Sequence, residues 1–193
     1  MKKIFTLLIV LFTLSIFFAE TNNIFTSKES LSSDEINAIL LMREEEKLAR
    51  DVYDYFANLY NSKIFYNISN SEQKHTDSVK NIIEKYNLED PFINSTGVFE
   101  NEELQNIYND LIEKGSNSYI DALKIGAMIE ELDIKDIRDS LNYIDNEDII
   151  FVFNNLEKGS INHLNSFMKN IEKLNSQYSP IYLSEDEFYK LIK

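Results

Sequence analysis

The chain holds only two imidazoles, His75 and His163. Each falls on a segment whose apolar residues recur at helical spacing, and each has a polar companion three positions earlier, Glu72 before His75 and Ser160 before His163. Residues three apart on a helix share a face, so Glu72 and His75 can reach one metal ion together. Glu46 occupies the equivalent slot of an earlier segment, between Met42 and Ala49, and Glu130 and Asp133 share one face of a later segment. An unpaired carboxylate on a core-facing stripe is costly unless a cation or hydrogen bonds neutralise it. The four carboxylates Glu46, Glu72, Glu130 and Asp133 would balance two divalent cations. Oxygen and imidazole ligands suit iron, or manganese, better than thiolate-preferring metals. Each residue alone has an ordinary alternative. Glu72 and His75 could form a surface pair, Asp133 could cap a neighbouring helix, and His163 could be a core histidine bonded to a backbone carbonyl. Six such residues on four core stripes point instead to a buried dinuclear centre. Glu44 and Glu45 fall off their stripe and are expected in solvent, with Glu45 the substitute ligand should the register shift by one.

Such a centre needs long helices to hold it, and the chain provides them. With four Gly and two Pro spread over 193 residues, an all-α body with few loops is expected. Ser32 and Glu35 form a capping box, and Asp34 to about Tyr60 carries Ile39, Met42, Glu46, Ala49, Tyr53 and Phe56 on one stripe. A second helix over about Phe65 to Tyr86 aligns Ile68, Glu72, His75, Val79, Ile82 and Tyr86. The short turn at Asn61 to Lys63 makes these two antiparallel neighbours. A loop with Pro91 and Gly97 then leads to a shorter crossover helix, Asn101 to Lys114. Two further long helices follow. Ser118 to about Leu141 aligns Leu123, Gly126, Glu130, Asp133 and Ile137, with Gly126 permitting close helix contact. Glu147 to about Leu174 aligns Phe153, Leu156, Ser160, His163 and Phe167, interrupted by Gly159 at a propensity cost of about 1 kcal/mol. A small capped helix, Ser184 to Ile192, ends the chain.

Residues 1–19 read as an export signal: Lys2 and Lys3, an apolar run from Ile4 to Phe18, then Ala19. Phe17 fits poorly three places before the cut, so an uncleaved membrane anchor is the alternative to a periplasmic, cell-surface or secreted chain. Residues 20–31 are polar and read as a linker, and 32–193 as one domain. Losing residues 1–19 removes Lys2 and Lys3 and no acid, which leaves 17 basic against 33 acidic residues and a formal charge of −16. That surface repels nucleic acid. The absence of Cys excludes disulfides, thiolate ligands and iron–sulfur clusters.

The segments REEEKLARDVYDYF (43–56) and FYNISNSEQKHTDSVKNIIEKY (65–86) resemble the DUF2202 family of ferritin-like proteins. The similarity continues through GVFENEELQNIYNDLIEKGSNSYIDALKIGAMIEELDIKDIRD (97–139), NNLEKGSINHLNSF (154–167) and the closing PIYLSEDEFYKLI, so it covers nearly everything after the leader. The resemblance implies a ferritin-like four-helix bundle with a short crossover helix, a small C-terminal helix and a di-metal centre between antiparallel helix pairs. In the rubrerythrin-like pattern a Glu precedes a Tyr by seven positions, matched by Glu46 and Tyr53, and the second helix supplies Glu-x-x-His, matched by Glu72 and His75. Glu130 matches the third helix's Glu. The fourth helix should repeat Glu-x-x-His, and here Ser160 stands where that Glu belongs. Asp133, one turn beyond Glu130, is expected to replace the missing carboxylate. Tyr53 is expected as a packed core residue, with a hydrogen bond to a ligand as the other role.

The expected function is a non-haem dinuclear protein, with iron or manganese, acting on oxygen or peroxide as an oxidase, peroxidase or ferroxidase. Without Cys it would need an external reductant. No catalytic side chain is singled out, and self-association into a homo-oligomer is left open. The other reading is an exported bundle that binds metal or a partner without catalysis.

Overall fold

A computed structural model describes residues 30–192, and the export-signal reading of residues 1–19 lies outside them. Six helices and no strands occur among the described residues: α1 (Ser33–Tyr60), α2 (Lys63–Tyr86), α3 (Glu102–Gly115), α4 (Tyr119–Leu141), α5 (Glu147–Lys173) and α6 (Glu185–Leu191). None of them is long and apolar enough to cross a membrane. The helix boundaries follow from local chemistry. Ser32 and Glu35 close a reciprocal capping box at α1, and Ser184 and Glu187 do the same at α6. Asn101 and Ser118 cap α3 and α4 with their side chains. Asn61 and Asn87 end α1 and α2 in the left-handed conformation that Asn tolerates. Asn61 is followed at once by Ser62, the N-cap of α2. So tight a turn folds α2 back along α1.

α1 packs on α2 and α4 on α5, and contacts of α1 with α4 and α2 with α5 close the four long helices into a bundle. α3 lies across α1 and α4. Two apolar clusters fill the interior. One gathers Tyr53, Phe56, Phe65, Leu123 and Phe167, and the other Ile39, Met42, Val79, Ile83, Phe153 and Leu156. On α1, α2 and α5 the polar core residues lie where the chain passes from one cluster to the other. Met42 and Ala49 bracket Glu46, Ile68 and Val79 bracket Glu72 and His75, and Leu156 and Leu164 bracket Ser160 and His163. The fold thus seats a polar layer between two greasy ones.

Gly126 meets the expectation of close contact. A Cβ there would fall 2.5 Å from ring atoms of Phe167.

One expectation fails on α1. Glu44 and Glu45, expected in solvent, are buried. α3 and the connection before it cover that flank of α1, so the polar side of the helix is enclosed as well. Glu44 accepts from the backbone N–H groups of Glu100 and Asn101 at 2.8 and 3.2 Å, at the N-terminus of α3 where a carboxylate is favoured. Lys47, also buried, donates to Asp51 and to the carbonyls of Ser95 and Val98, with its ammonium 4.1 Å from the Phe99 ring centre. Arg43 holds Asp90 and the Thr76 carbonyl.

Candidate metal centre

Four helices each bring a polar residue into the layer between the clusters: Glu46 from α1, Glu72 and His75 from α2, Glu130 and Asp133 from α4, and His163 from α5. Glu72 is the hub. Its Oε2 lies 2.7 Å from His75 Nδ1, and its Oε1 lies 2.7 Å from His163 Nδ1. Each imidazole nitrogen has a second carboxylate beside it, Glu46 at 3.2 Å from His75 and Glu130 at 3.5 Å from His163. The result is two matched halves sharing Glu72, one with Glu46 and His75, the other with Glu130 and His163. The imidazole rings stack, with centres 5.4 Å apart and planes 26° from parallel.

The carboxylates are almost wholly removed from water: Glu46 and Glu130 are 0 % exposed and Glu72 is 1 %. Buried oxygens normally find donors. Here Oε1 of Glu46, Oε1 of Glu72, Oε2 of Glu130 and Oδ2 of Asp133 have none, and neither does Nδ1 of His163. His163 Nδ1 therefore approaches Glu72 Oε1 closely without being aligned as a hydrogen-bond donor to it. Leaving one such group unpaired costs about 1–3 kcal/mol, and more when charged, so the layer stores a demand for positive charge.

With protons as the only cations, the titration behaviour shows the same demand. Burial alone would depress both histidines, but Glu46 and Glu72 carry His75 up to about 11, and Glu130 and Glu72 carry His163 up to about 10. Burial presses Glu72 upward, yet the two imidazoles outweigh it and hold the carboxyl at about 2. Burial wins at the outer carboxyls, which sit at about 7 for both Glu46 and Glu130. Asp133 is driven well above its ordinary value by burial and by Glu46, Glu130 and Glu45.

Asp133 is buried one turn along α4 from Glu130, but its side chain makes no ion pair or hydrogen bond with either imidazole. It lines a cavity beside the layer together with Glu45. Ser160 is buried, and its hydroxyl donates to the Leu156 carbonyl of its own helix at 3.3 Å. Tyr53 is the packed core residue expected, and it also reaches Glu130. Its ring packs on Phe65 and Phe167, and its hydroxyl donates to Glu130 Oε1 at 2.7 Å. That bond orients a candidate ligand from outside the cluster.

Gly159 carries a role that its sequence position hides. A Cβ there would lie 2.4 Å from both Cε1 and Nε2 of His75. The missing side chain lets α5 back directly onto the Cε1–Nε2 edge of the ring. A glycine one residue before the Ser160 slot, tolerated in mid-helix, was the available signal.

Fold and site together define a helical bundle with a buried Glu/His cluster at its centre. The family described as "Uncharacterized protein domain (DUF2202)" matches residues 35–193, and the chain belongs to it. The chain is 48% identical over 166 residues to "Uncharacterized protein MJ0754" of Methanocaldococcus jannaschii, covering 86% of this chain and 90% of that protein. The crystal structure of hypothetical protein MJ0754 superimposes with a TM-score of 0.84 over 86% of this chain and 95% of that one.

Proposed function

We propose that this is a ferritin-like dinuclear metal protein, with iron, or manganese in its place, held by Glu46, Glu72 and His75 on one side and Glu130, Glu72 and His163 on the other. The observation that carries the reading is the set of unpartnered, water-excluded ligand atoms arranged in two halves about Glu72. Four buried carboxylates, Asp133 included, balance two divalent charges. A bound pair of redox-active cations would supply the electron exchange needed to reduce oxygen or peroxide. The chain's own groups do the rest: Tyr53 orients Glu130, Gly159 seats His75, and the two apolar clusters flank the layer and keep its carboxylates from water. An external reductant would complete any turnover, and the chain works outside the cytoplasm if residues 1–19 act as an export signal.

Elemental analysis of anaerobically purified protein beside the His75→Ala and His163→Ala variants tests the centre. Metal in the parent and its loss from both variants supports the reading, and equal metal in all three removes it. Mixing with ferrous iron and peroxide in a stopped-flow instrument then separates an oxidoreductase from a metal-binding bundle. Repeated turnover marks the first, and a single stoichiometric uptake the second.

A further inference from the structure

A cavity of about 70 Å³ lies between α1, α3 and α4, walled by Leu48, Leu104, Ile107 and Ile129. It has room for a handful of heavy atoms. Its ionisable linings are Glu45 and Asp133, 8 % and 3 % exposed, and each has a buried oxygen with no partner. Glu45 precedes Glu46 on α1 and Asp133 lies one helical turn from Glu130 on α4, so the cavity flanks the two helices that carry Glu46 and Glu130. Tyr182, 40 % exposed, also lines the cavity and reaches the surface. Its position is fixed through the main chain: the N–H groups of Ile181, Tyr182 and Leu183 all donate to Glu131 Oε2 at 3.0 to 3.1 Å. A small, mostly apolar chamber is therefore lined both by a tethered, partly exposed tyrosine and by two buried carboxyls from the helices of the Glu/His layer.

Resting on the function proposed above, we infer that this chamber admits and holds the small neutral oxidant, a molecule of dioxygen or peroxide size with an O–O bond. The walls fit that chemistry and little else. An apolar lining favours a neutral diatomic over an anion, and the volume excludes organic substrates of more than a few atoms. The unpartnered oxygens of Glu45 and Asp133 offer hydrogen-bonding sites that suit peroxide, whereas dioxygen needs only the apolar wall.

The experiment uses the full chain loaded with ferrous iron. Xenon, a probe for dry apolar cavities, is located in pressurised crystals, and iron oxidation is followed with dioxygen and with hydrogen peroxide in separate runs. Ile107→Trp fills the chamber from α3, which carries no candidate ligand, and Tyr182→Ala opens its mouth without touching the main-chain tether. Xenon between Leu48 and Ile107, with Ile107→Trp slowing oxidation by about tenfold at unchanged iron content and Tyr182→Ala not slowing it, is the expected result. Slowing with both oxidants assigns the chamber to both, and slowing with one assigns it to that one. Wild-type rates with both oxidants in an iron-replete Ile107→Trp protein overturn the inference, as does a chamber without xenon. If Ile107→Trp does not fold, Leu111→Phe makes the same test from the next turn of α3. Failure of the metal reading shows itself separately, as protein that takes up no iron at all.

Discussion

Two populations of buried carboxylates occupy neighbouring positions on the same helices. Glu131 collects three backbone N–H groups and the Tyr178 hydroxyl. Glu44 collects two N–H groups at the start of α3, and Glu35 collects the main chain and side chain of Asn146. Asp51 is held by Lys47, Arg50 and the Gly97 N–H. One or two residues away, Glu130 and Glu46 each keep an oxygen with no partner. A step of one residue turns a helix side chain by about 100°, so Glu131 points to the C-terminal segment while Glu130 points to the axis. The first population shows that this fold can complete a buried carboxylate. On the function proposed above, the several left incomplete in one place are those that a bound cation would complete.

The sharpest way to break this contrast is to remove the hub. Glu72→Ala is expected to abolish metal uptake by both halves, measured as metal per chain, whereas Glu131→Gln should leave metal content unchanged. Binding confined to one half in the Glu72 variant would contradict the shared-ligand geometry. Glu131→Gln should instead lower stability by about 2–3 kcal/mol in denaturant unfolding, the scale of lost hydrogen bonds to a charged group. Gly159→Ala should cost about 1–3 kcal/mol of overpacking and weaken the His75 half alone, leaving about one metal per chain where the parent holds two.

The smallest effect is the dependence on pH, whose sign differs between Glu35 and the outer carboxyls of the layer. Glu46 and Glu130 at about 7 and Glu45 at about 8 hold protons more tightly folded than unfolded, where the reference is 4.5. Without metal their contribution therefore falls as pH rises from about 4.5 to about 8. The histidine contributions act in the same direction, being complete below 6.5 and lost as pH climbs toward about 10 and 11. Glu35 behaves oppositely: burial pushes it up, but Asn146 and Ser32 prevail and hold it at about 2, so its stabilisation is lost as pH falls from 4.5 toward 2. Melting temperatures of chelator-treated protein should decline steadily above about pH 5. Saturation with manganese should flatten that decline, because the cation takes over from the protons. Equal slopes with and without metal would count against the account.

The helices were legible because their signals are local. Ser32 with Glu35, Ser184 with Glu187 and the Asn61 turn each act within a few residues, and the predicted boundaries fall within about two residues of those observed. The core stripe also placed Glu46, Glu72, His75, Glu130 and His163 in one layer, since a helix period suffices to tell which residues face inward. Glu44 and Glu45 escaped because their burial depends on α3 lying across α1, a tertiary event without a mark on α1 itself. The apolar face of α3, with Leu104, Ile107 and Leu111, was the one hint that some flank had to be covered. Gly159 escaped for the same reason: its partner, His75, is on another helix.

Calorimetric titration of the chelator-treated full chain with ferrous iron under anaerobic conditions, with the melting temperature recorded before and after, tests the central claim most directly. Saturation at about two ions per chain with a clear rise in melting temperature is expected, because a ligand that binds only the folded state stabilises it. A flat titration, with a melting temperature indifferent to both iron and chelator, would contradict it.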